Sequence, residues 1–229
     1  MSHLPLLLVA LTLTLINLID VSARQIPQSP LSVNKEDDHP KVPIVLGVMS
    51  KCPDAFLCES IFDQVLKRVG PKVDLELTFV AKLNTSAEGG ITCLHGPSEC
   101  SGNIHELCAA KHSSRDKWWP FVQCLNYEGY QKIGNVDTAR RCAKASGIDW
   151  DESGVGECIE GSEEEGRELL VKSIARTESL NITKSCSIFI GGELRCVRDG
   201  KWVDCEEGHT ANDFVRIINR EYEKLDPLY

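Results

Sequence analysis

The stretch Val42-Pro43-Ile44-Val45-Leu46-Gly47-Val48-Met49, followed at once by Ser50-Lys51-Cys52-Pro53, decides the fold. Its apolar residues run on without alternation, the pattern of a strand buried on both faces in a sheet covered by helices. From Pro53 the spacing changes to three and four. Phe56, Leu57, Ile61, Phe62, Val65, Leu66 and Val69 recur on one side of a helix that Gly70-Pro71 stops. Val73, Leu75, Leu77 and Phe79 then alternate with Asp74, Glu76 and Thr78, which predicts a strand with one buried face. Strand, helix and strand joined by short links make a βαβ unit, normally parallel and right-handed.

Downstream, residues 84–117 carry Gly, Ser, His and cysteines but no long apolar run. Helical patterns follow at 118–130, 137–146 and 162–180. The last opens with Ser162 and a solvated acidic first turn, Glu163-Glu164-Glu165. Trp118-Trp119-Pro120-Phe121 reads as core or as a contact between insert and domain, with a peptide-binding surface as the competing reading. The chain turns β again at Ser185–Ile190 and at Glu193–Cys205. Cys196 and Cys205 lie symmetrically about Gly200-Lys201, so a two-residue turn there sets them opposite each other and predicts a cross-strand disulfide. Phe214, Ile217, Ile218, Tyr222 and Leu225 mark a closing amphipathic helix. This order is α/β: a thioredoxin-like fold over 42–229, split at about 84–183 by a helical, disulfide-rich insertion.

Upstream, Leu4 to Ile19 is almost wholly apolar and ends at Asp20-Val21-Ser22-Ala23. Small residues at Val21 and Ala23 suit cleavage after Ala23, so 1–23 reads as a secretory signal peptide. A membrane anchor is the competing reading, but the run of about 16 residues falls short of the ~20 a spanning helix needs. Residues 24–41 carry Pro, Ser, Asn and mixed charge without an apolar period, and read as a disordered leader. The mature chain is expected to carry no membrane span. Lys and Arg number 25 against 34 Asp and Glu, a net charge of −9, which argues against nucleic acid and anionic membrane surfaces as partners. A secretory route makes the eleven cysteines a disulfide framework, with one left over. Two sequons, at Asn84 and Asn181, agree with that route and predict glycosylation.

Cys52 follows the first strand and precedes Pro53, a residue suited to the first helical position, so Cys52 is the expected N-cap. Free N–H groups and the helix dipole there favour a thiolate, the nucleophile of disulfide exchange. The competing reading is a structural half-cystine. Asp54, two residues on, opposes the thiolate while ionised. Position 55 is alanine, so no Cys-x-x-Cys pair exists to resolve a mixed disulfide, and Cys58 is the next candidate. Six residues along one helix make a rise of about 9 Å. Disulfide Cα separations rarely exceed ~7 Å. Cys58 is therefore read as the structural partner of a cysteine in the insert.

Residues 93–108 read Cys93-Leu94-His95-Gly96-Pro97-Ser98-Glu99-Cys100-Ser101-Gly102-Asn103-Ile104-His105-Glu106-Leu107-Cys108. This resembles the gamma-interferon-inducible lysosomal thiol reductase signature, C-Q-H-G-x-x-E-C-x-x-N-x-x-x-x-C, with Leu94 as the one departure. The resemblance extends over about 42–225. It implies a thioredoxin-like fold, reduction of protein disulfides, and an acidic endosomal or lysosomal compartment. By position, Cys52 matches the family's attacking cysteine and Ala55 replaces its resolving one. Cys186 falls about where thioredoxin-like sites carry a cis-proline. Two readings stand for Cys186: resolving thiol for Cys52, or partner of an insert cysteine. Cys93, Cys100, Cys108, Cys124, Cys142 and Cys158 are expected to staple the structure, as are Cys196 and Cys205. His95 and Glu99 are expected to hydrogen-bond the loop rather than react. A zinc site drawn from Cys93, His95, Cys100, His105 and Cys108 is disfavoured by an oxidising compartment and by the resemblance.

The leading function is a secreted or lysosomal/vacuolar thiol–disulfide oxidoreductase. Cys52 attacks protein disulfides, Cys186 or an external thiol reductant resolves, and no prosthetic cofactor is required. The alternative is a non-catalytic, disulfide-stabilised secreted glycoprotein that keeps the fold as a binding module or effector.

Overall fold

The computed structural model describes residues 40–161 and 163–225. The signal peptide expected at 1–23, and the leader expected at 24–41 apart from Pro40 and Lys41, lie outside the described residues.

The strand β1 (Val42–Val48) enters α1 (Pro53–Val69) and returns through a 3-10 turn at Gly70–Lys72 to β2 (Val73–Phe79). β1 and β2 are parallel, Val42 opposite Val73 and Val48 opposite Phe79. A short antiparallel pair follows, β3 (Lys82–Leu83) with β4 (Ile91–Thr92). Four helices come next: α2 (Pro97–His112), α3 (Arg115–Glu128), α4 (Val136–Ala145) and α5 (Glu163–Ser179). The chain then re-enters the sheet as β5 (Ser187–Ile190), β6 (Glu193–Asp199) and β7 (Lys201–Val203), and closes with α6 (Ala211–Leu225). The sheet order is β2-β1-β5-β6-β7, with β5 antiparallel to β1. This is the thioredoxin-like arrangement expected from the sequence, with its helical, disulfide-rich insert.

β1 is central because both its faces are apolar. Ile44, Leu46 and Val48 join the main core, whereas Val45 points the other way and packs with Ile182 and Phe189. Gly47 permits this second contact, since a Cβ there would stand 2.6 Å from Ile182 Cγ2. α1 and α6 meet through Phe62 and Phe214, whose ring centroids lie 5.2 Å apart. Burying each such side chain contributes roughly 1.5–3 kcal/mol. α5 is fixed along β2 because Ser173 Oγ accepts the Phe79 N–H at 2.7 Å and Thr78 Oγ1 donates to Ser173 O at 2.9 Å.

Several details differ from the sequence reading. α1 is rotated: Ala55, Cys58, Glu59, Phe62, Val65 and Val69 face inward, while Phe56 and Leu57 are 49% and 37% exposed. α2 lies in the region read as lacking a long apolar run. Its buried face is largely polar, comprising Glu99, Asn103, His105 and Glu106 beside Gly102, Cys108 and Ala109. The β6–β7 turn is centred on Gly200 alone, with Asp199 opposite Lys201 and Val197 opposite Val203. Cys196 and Cys205 are nevertheless bonded. Asp204, at φ 55, shifts the chain by one residue after β7 and brings Cys205 back to Cys196. Trp118, Trp119 and Phe121 are buried, so the peptide-surface reading of that segment is withdrawn.

Candidate functional site

Cys52 stands at the N-cap of α1 with Pro53 in the first turn, and its side chain makes no capping hydrogen bond. It is the free cysteine of the eleven, and it is partly buried. Its Sγ lies 3.7 Å from Ser185 O. The backbone before it is held from two sides. Ser185 Oγ accepts the Met49 N–H at 2.9 Å, and Asn103 Oδ1 accepts the Ser50 N–H at 3.0 Å. Ser50 Oγ donates to Glu99 O at 3.1 Å, and Lys51 Nζ donates to Ser98 Oγ at 2.8 Å. Three consecutive residues ahead of the thiol are thus clamped, two of them by α2.

The signature residues form this clamp. Cys93 and Cys100 are joined across the turn that starts α2. The fully buried Glu99 carboxylate accepts the His95 N–H at 3.1 Å and bonds the His95 ring. Asn103 Nδ2 reaches Cys93 Sγ at 3.8 Å while its oxygen holds Ser50. Sequence reasoning set His95 and Glu99 in this loop but gave no role to Asn103, Ser50 or Ser185. Asn103 was visible as a specified position of the signature. Ser185 had no signal beyond its place before Cys186.

Asp54 does not act on Cys52 as an unpaired charge. Its Oδ2 accepts the Gly200 N–H at 2.7 Å and its Oδ1 pairs with Arg198 Nε at 3.3 Å. The β6–β7 hairpin therefore takes up its charge. The Arg198 N–H also donates to Cys186 O at 2.7 Å.

Cys58 is bonded to Cys186, with Cα atoms 6.3 Å apart and neither residue exposed. This corrects the expected pairing of Cys58 with an insert cysteine: the bond crosses from α1 to the start of β5, within the sheet domain. It equally removes the insert-cysteine reading of Cys186. The Ser185–Cys186 peptide is cis. Ala55 is buried. The remaining pairs are Cys108–Cys158, Cys124–Cys142 and Cys196–Cys205. The sulfurs of the disfavoured zinc set, Cys93, Cys100 and Cys108, are all in disulfides. One other cluster brings metal-ligating atoms within 4.8 Å of each other, His112, Cys158 and Glu165. Its Cys158 is bonded to Cys108, and its Glu165 already pairs with Lys111 at 2.5 Å and His112 at 2.8 Å.

Behind α1 lies a buried acidic pair that the sequence reading missed. Burial pushes the Glu59 carboxyl up to about 7, partly opposed by the Asn126 amide, which donates to it at 2.6 Å. Burial, with the neighbouring Glu59 charge, pushes Glu106 well above the usual carboxylate range. The available signal was an acid between Cys58 and Phe62, on the inner face of a helix. Asn84 and Asn181 are both exposed.

The sheet order, the cysteine at the start of α1 and the helical insert define a thioredoxin-like protein. Residues 43–146 match the model of the family described as gamma interferon inducible lysosomal thiol reductase (GILT). GILT-like protein 1 of Drosophila melanogaster is 30% identical over 123 residues, 47% of this chain and 49% of that protein. The match thus spans about half the length of this curated relative. Among solved structures, oxidised BdbD from Bacillus subtilis superposes with a TM-score of 0.58 at 16% identity, covering 82% of this chain and 90% of BdbD. The thiol-disulfide exchange protein alpha-DsbA2 from Wolbachia pipientis gives 0.54 at 12% identity, covering 83% and 84%. Reduced DsbA1 from Neisseria meningitidis gives 0.51 at 15%, covering 89% and 92%. At these identities the likeness is one of fold.

Proposed function

We propose that this protein is a thiol–disulfide oxidoreductase that reduces protein disulfides through Cys52, with Cys186 and Cys58 as an internal resolving pair. The observation that carries this reading is a free thiol at a helix start, adjoining the residue before a Cys58–Cys186 disulfide.

The cycle balances as follows. An external thiol reductant supplies two electrons and two protons to Cys58–Cys186 and is itself oxidised to a disulfide. The Cys52 thiolate attacks one sulfur of the substrate disulfide; that bond breaks, and the first substrate thiolate leaves and takes up a proton. The Cys186 thiolate attacks Cys52 Sγ, the second substrate thiolate leaves and is protonated, and Cys52–Cys186 forms. The Cys58 thiolate attacks Cys186 Sγ and expels Cys52. This restores Cys58–Cys186 and the free Cys52. No prosthetic group takes part.

The same reading takes the mature protein through the secretory route to a lysosomal, vacuolar or extracellular site. Cleavage after Ala23 would leave the thioredoxin-like domain at 42–229 with its insertion at about 84–183. Five disulfides and two exposed sequon asparagines support it. No helix among the described residues is long and apolar enough to cross a membrane.

The test is insulin-type disulfide reduction with thiol-trapping mass spectrometry on Cys52→Ser, Cys186→Ser and Cys58→Ser. Cys52→Ser is expected to lose activity. Cys186→Ser is expected to accumulate a Cys52 mixed disulfide at limiting reductant, and Cys58→Ser to accumulate Cys52–Cys186. Full activity in Cys52→Ser sinks the mechanism, and no activity in the unaltered protein leaves the non-catalytic binding module. Loss in Cys52→Ser with unaltered turnover in the other two leaves a single-thiol route resolved by the external reductant.

A further inference from the structure

The insert encloses a half-open cavity of about 620 Å³ between α2, β4, the start of α4 and α5, with the Cys93–Cys100 disulfide in its wall and Cys52 outside its lining. Binding sites for small molecules occupy about 300–1,000 Å³ and combine apolar walls with a few polar groups. This one has that make-up. Ile104, Val136, Ile159 and Leu170 supply apolar wall, and His105 and Arg167 also line it.

His105 is the informative residue. It is 3% exposed, and its Nδ1 has no hydrogen-bond partner among the described residues. Buried polar atoms are nearly always satisfied, and leaving one unpaired costs about 1–3 kcal/mol. Burial also holds the imidazole down to about 4, against the opposing influence of Glu160, so the ring is neutral at physiological pH. A neutral ring offers a ligand one donor or one acceptor, not a charge. Arg167 is the one charged residue lining the cavity among the described residues. It is exposed, its Nε donates to Gly89 O at 3.0 Å, and it forms no ion pair among the described residues. Among the described residues no carboxylate side chain lines the walls. The cavity thus has a positive rim and an apolar body, with the neutral His105 ring in its wall.

We propose that this cavity is a binding site for a small organic anion, an apolar body carrying one carboxylate or sulfonate. The anionic group pairs with Arg167, and the body lies between Ile104 and Leu170 against the His105 ring. The site is independent of the thiol chemistry and stands or falls apart from it.

The probe is 1-anilinonaphthalene-8-sulfonate, titrated into the natively folded protein with its disulfides intact. Saturable one-to-one binding, accompanied by a rise in melting temperature, is expected. Absence of saturable binding up to about 1 mM overturns the proposal. Val136 and Ile159 are only partly buried, so Val136→Trp and Ile159→Trp can fill the cavity without entering the core. Either substitution, with unchanged circular dichroism, is expected to abolish binding, and retention in both overturns the site. Arg167→Gln, at an exposed position, is expected to weaken binding about tenfold by removing a charge-assisted contact. Unchanged affinity there overturns the anionic assignment. Competition by octanoate but not by octanol is expected, and equal competition by both counts equally against it.

Discussion

Asn103 shows how a residue outside the thiol chemistry sets the thiol's geometry. Its oxygen holds the Ser50 N–H and its amide nitrogen reaches Cys93 Sγ, so one side chain ties the Cys52 loop to the Cys93–Cys100 disulfide. Asn103 and Ser50 are both buried. Asn103→Ala therefore leaves a buried N–H without a partner, at a cost of about 1–3 kcal/mol. The expected outcome is a lower urea midpoint together with slower modification of Cys52 by iodoacetamide in the folded protein. An unchanged alkylation rate would show that the loop keeps its shape without the clamp. At this scale the sequence was informative about Cys52, because a cysteine between a buried strand and Pro53 fixes its own local geometry. It said little about Ser185, whose contacts with Met49 and Cys52 span 136 and 133 residues and leave no local pattern. Cys58 was misjudged for a related reason. The helical-rise argument correctly separated it from Cys52, but a partner brought in by β5 depends on sheet pairing, which spacing along one helix does not contain.

Among the elements, β1, α1, β2 and α6 were legible because their inner faces are apolar and periodic. α2 was not, because apolar periodicity does not register a helix whose inner face carries Glu99, Asn103, His105 and Glu106. Two of those groups find partners outside the helix, Asn103 at Ser50 and Glu99 at His95. α2 also depends on close approach by α5. A Cβ on Gly166 would stand 2.5 Å from Ile104 Cγ2 and 3.2 Å from Cys158 O. Gly166→Ala brings the usual helix-propensity gain of about 1 kcal/mol. Overpacking at such a contact costs about 1–3 kcal/mol. The carbonyl of Cys158 is pinned near the Cys108–Cys158 disulfide and has little room to move, so the cost is expected to win and the melting temperature to fall. A raised melting temperature in a thermal scan would mean that α2 and α5 separate freely.

Over the whole molecule, the buried acids make stability depend on pH with a definite sign. Glu59 and Glu106 join α1 to α2, and Asn126 brings in α3, so their protonation state bears on three helices at once. The folded protein keeps the Glu59 proton up to about 7, whereas an unfolded chain releases it near 4.5. Its stabilising contribution is therefore complete below about 4.5 and is lost as pH rises through 7. A difference of that size corresponds to roughly 3 kcal/mol. His105 works in the opposite sense: held down to about 4, it contributes stability above 6.5 that is lost as pH falls. Glu207 and Glu221, held low by Arg220 and Lys224 respectively, lose their contribution only on further acidification. The acid pair is isolated by comparing the native chain with Glu59→Gln/Glu106→Gln, since both proteins carry His105 and the surface pairs. Urea unfolding at about pH 5 and pH 7.5 is expected to show the native chain losing more than the double variant on going to the higher pH, by roughly 2 kcal/mol from Glu59 with a further loss from Glu106. Equal losses in the two proteins would mean that the carboxyls ionise together with the unfolded chain. A larger loss in the variant would reverse the sign. That direction belongs to the acid pair, and His105 opposes it between about 4 and 6.5, so the comparison with the double variant is what separates the two.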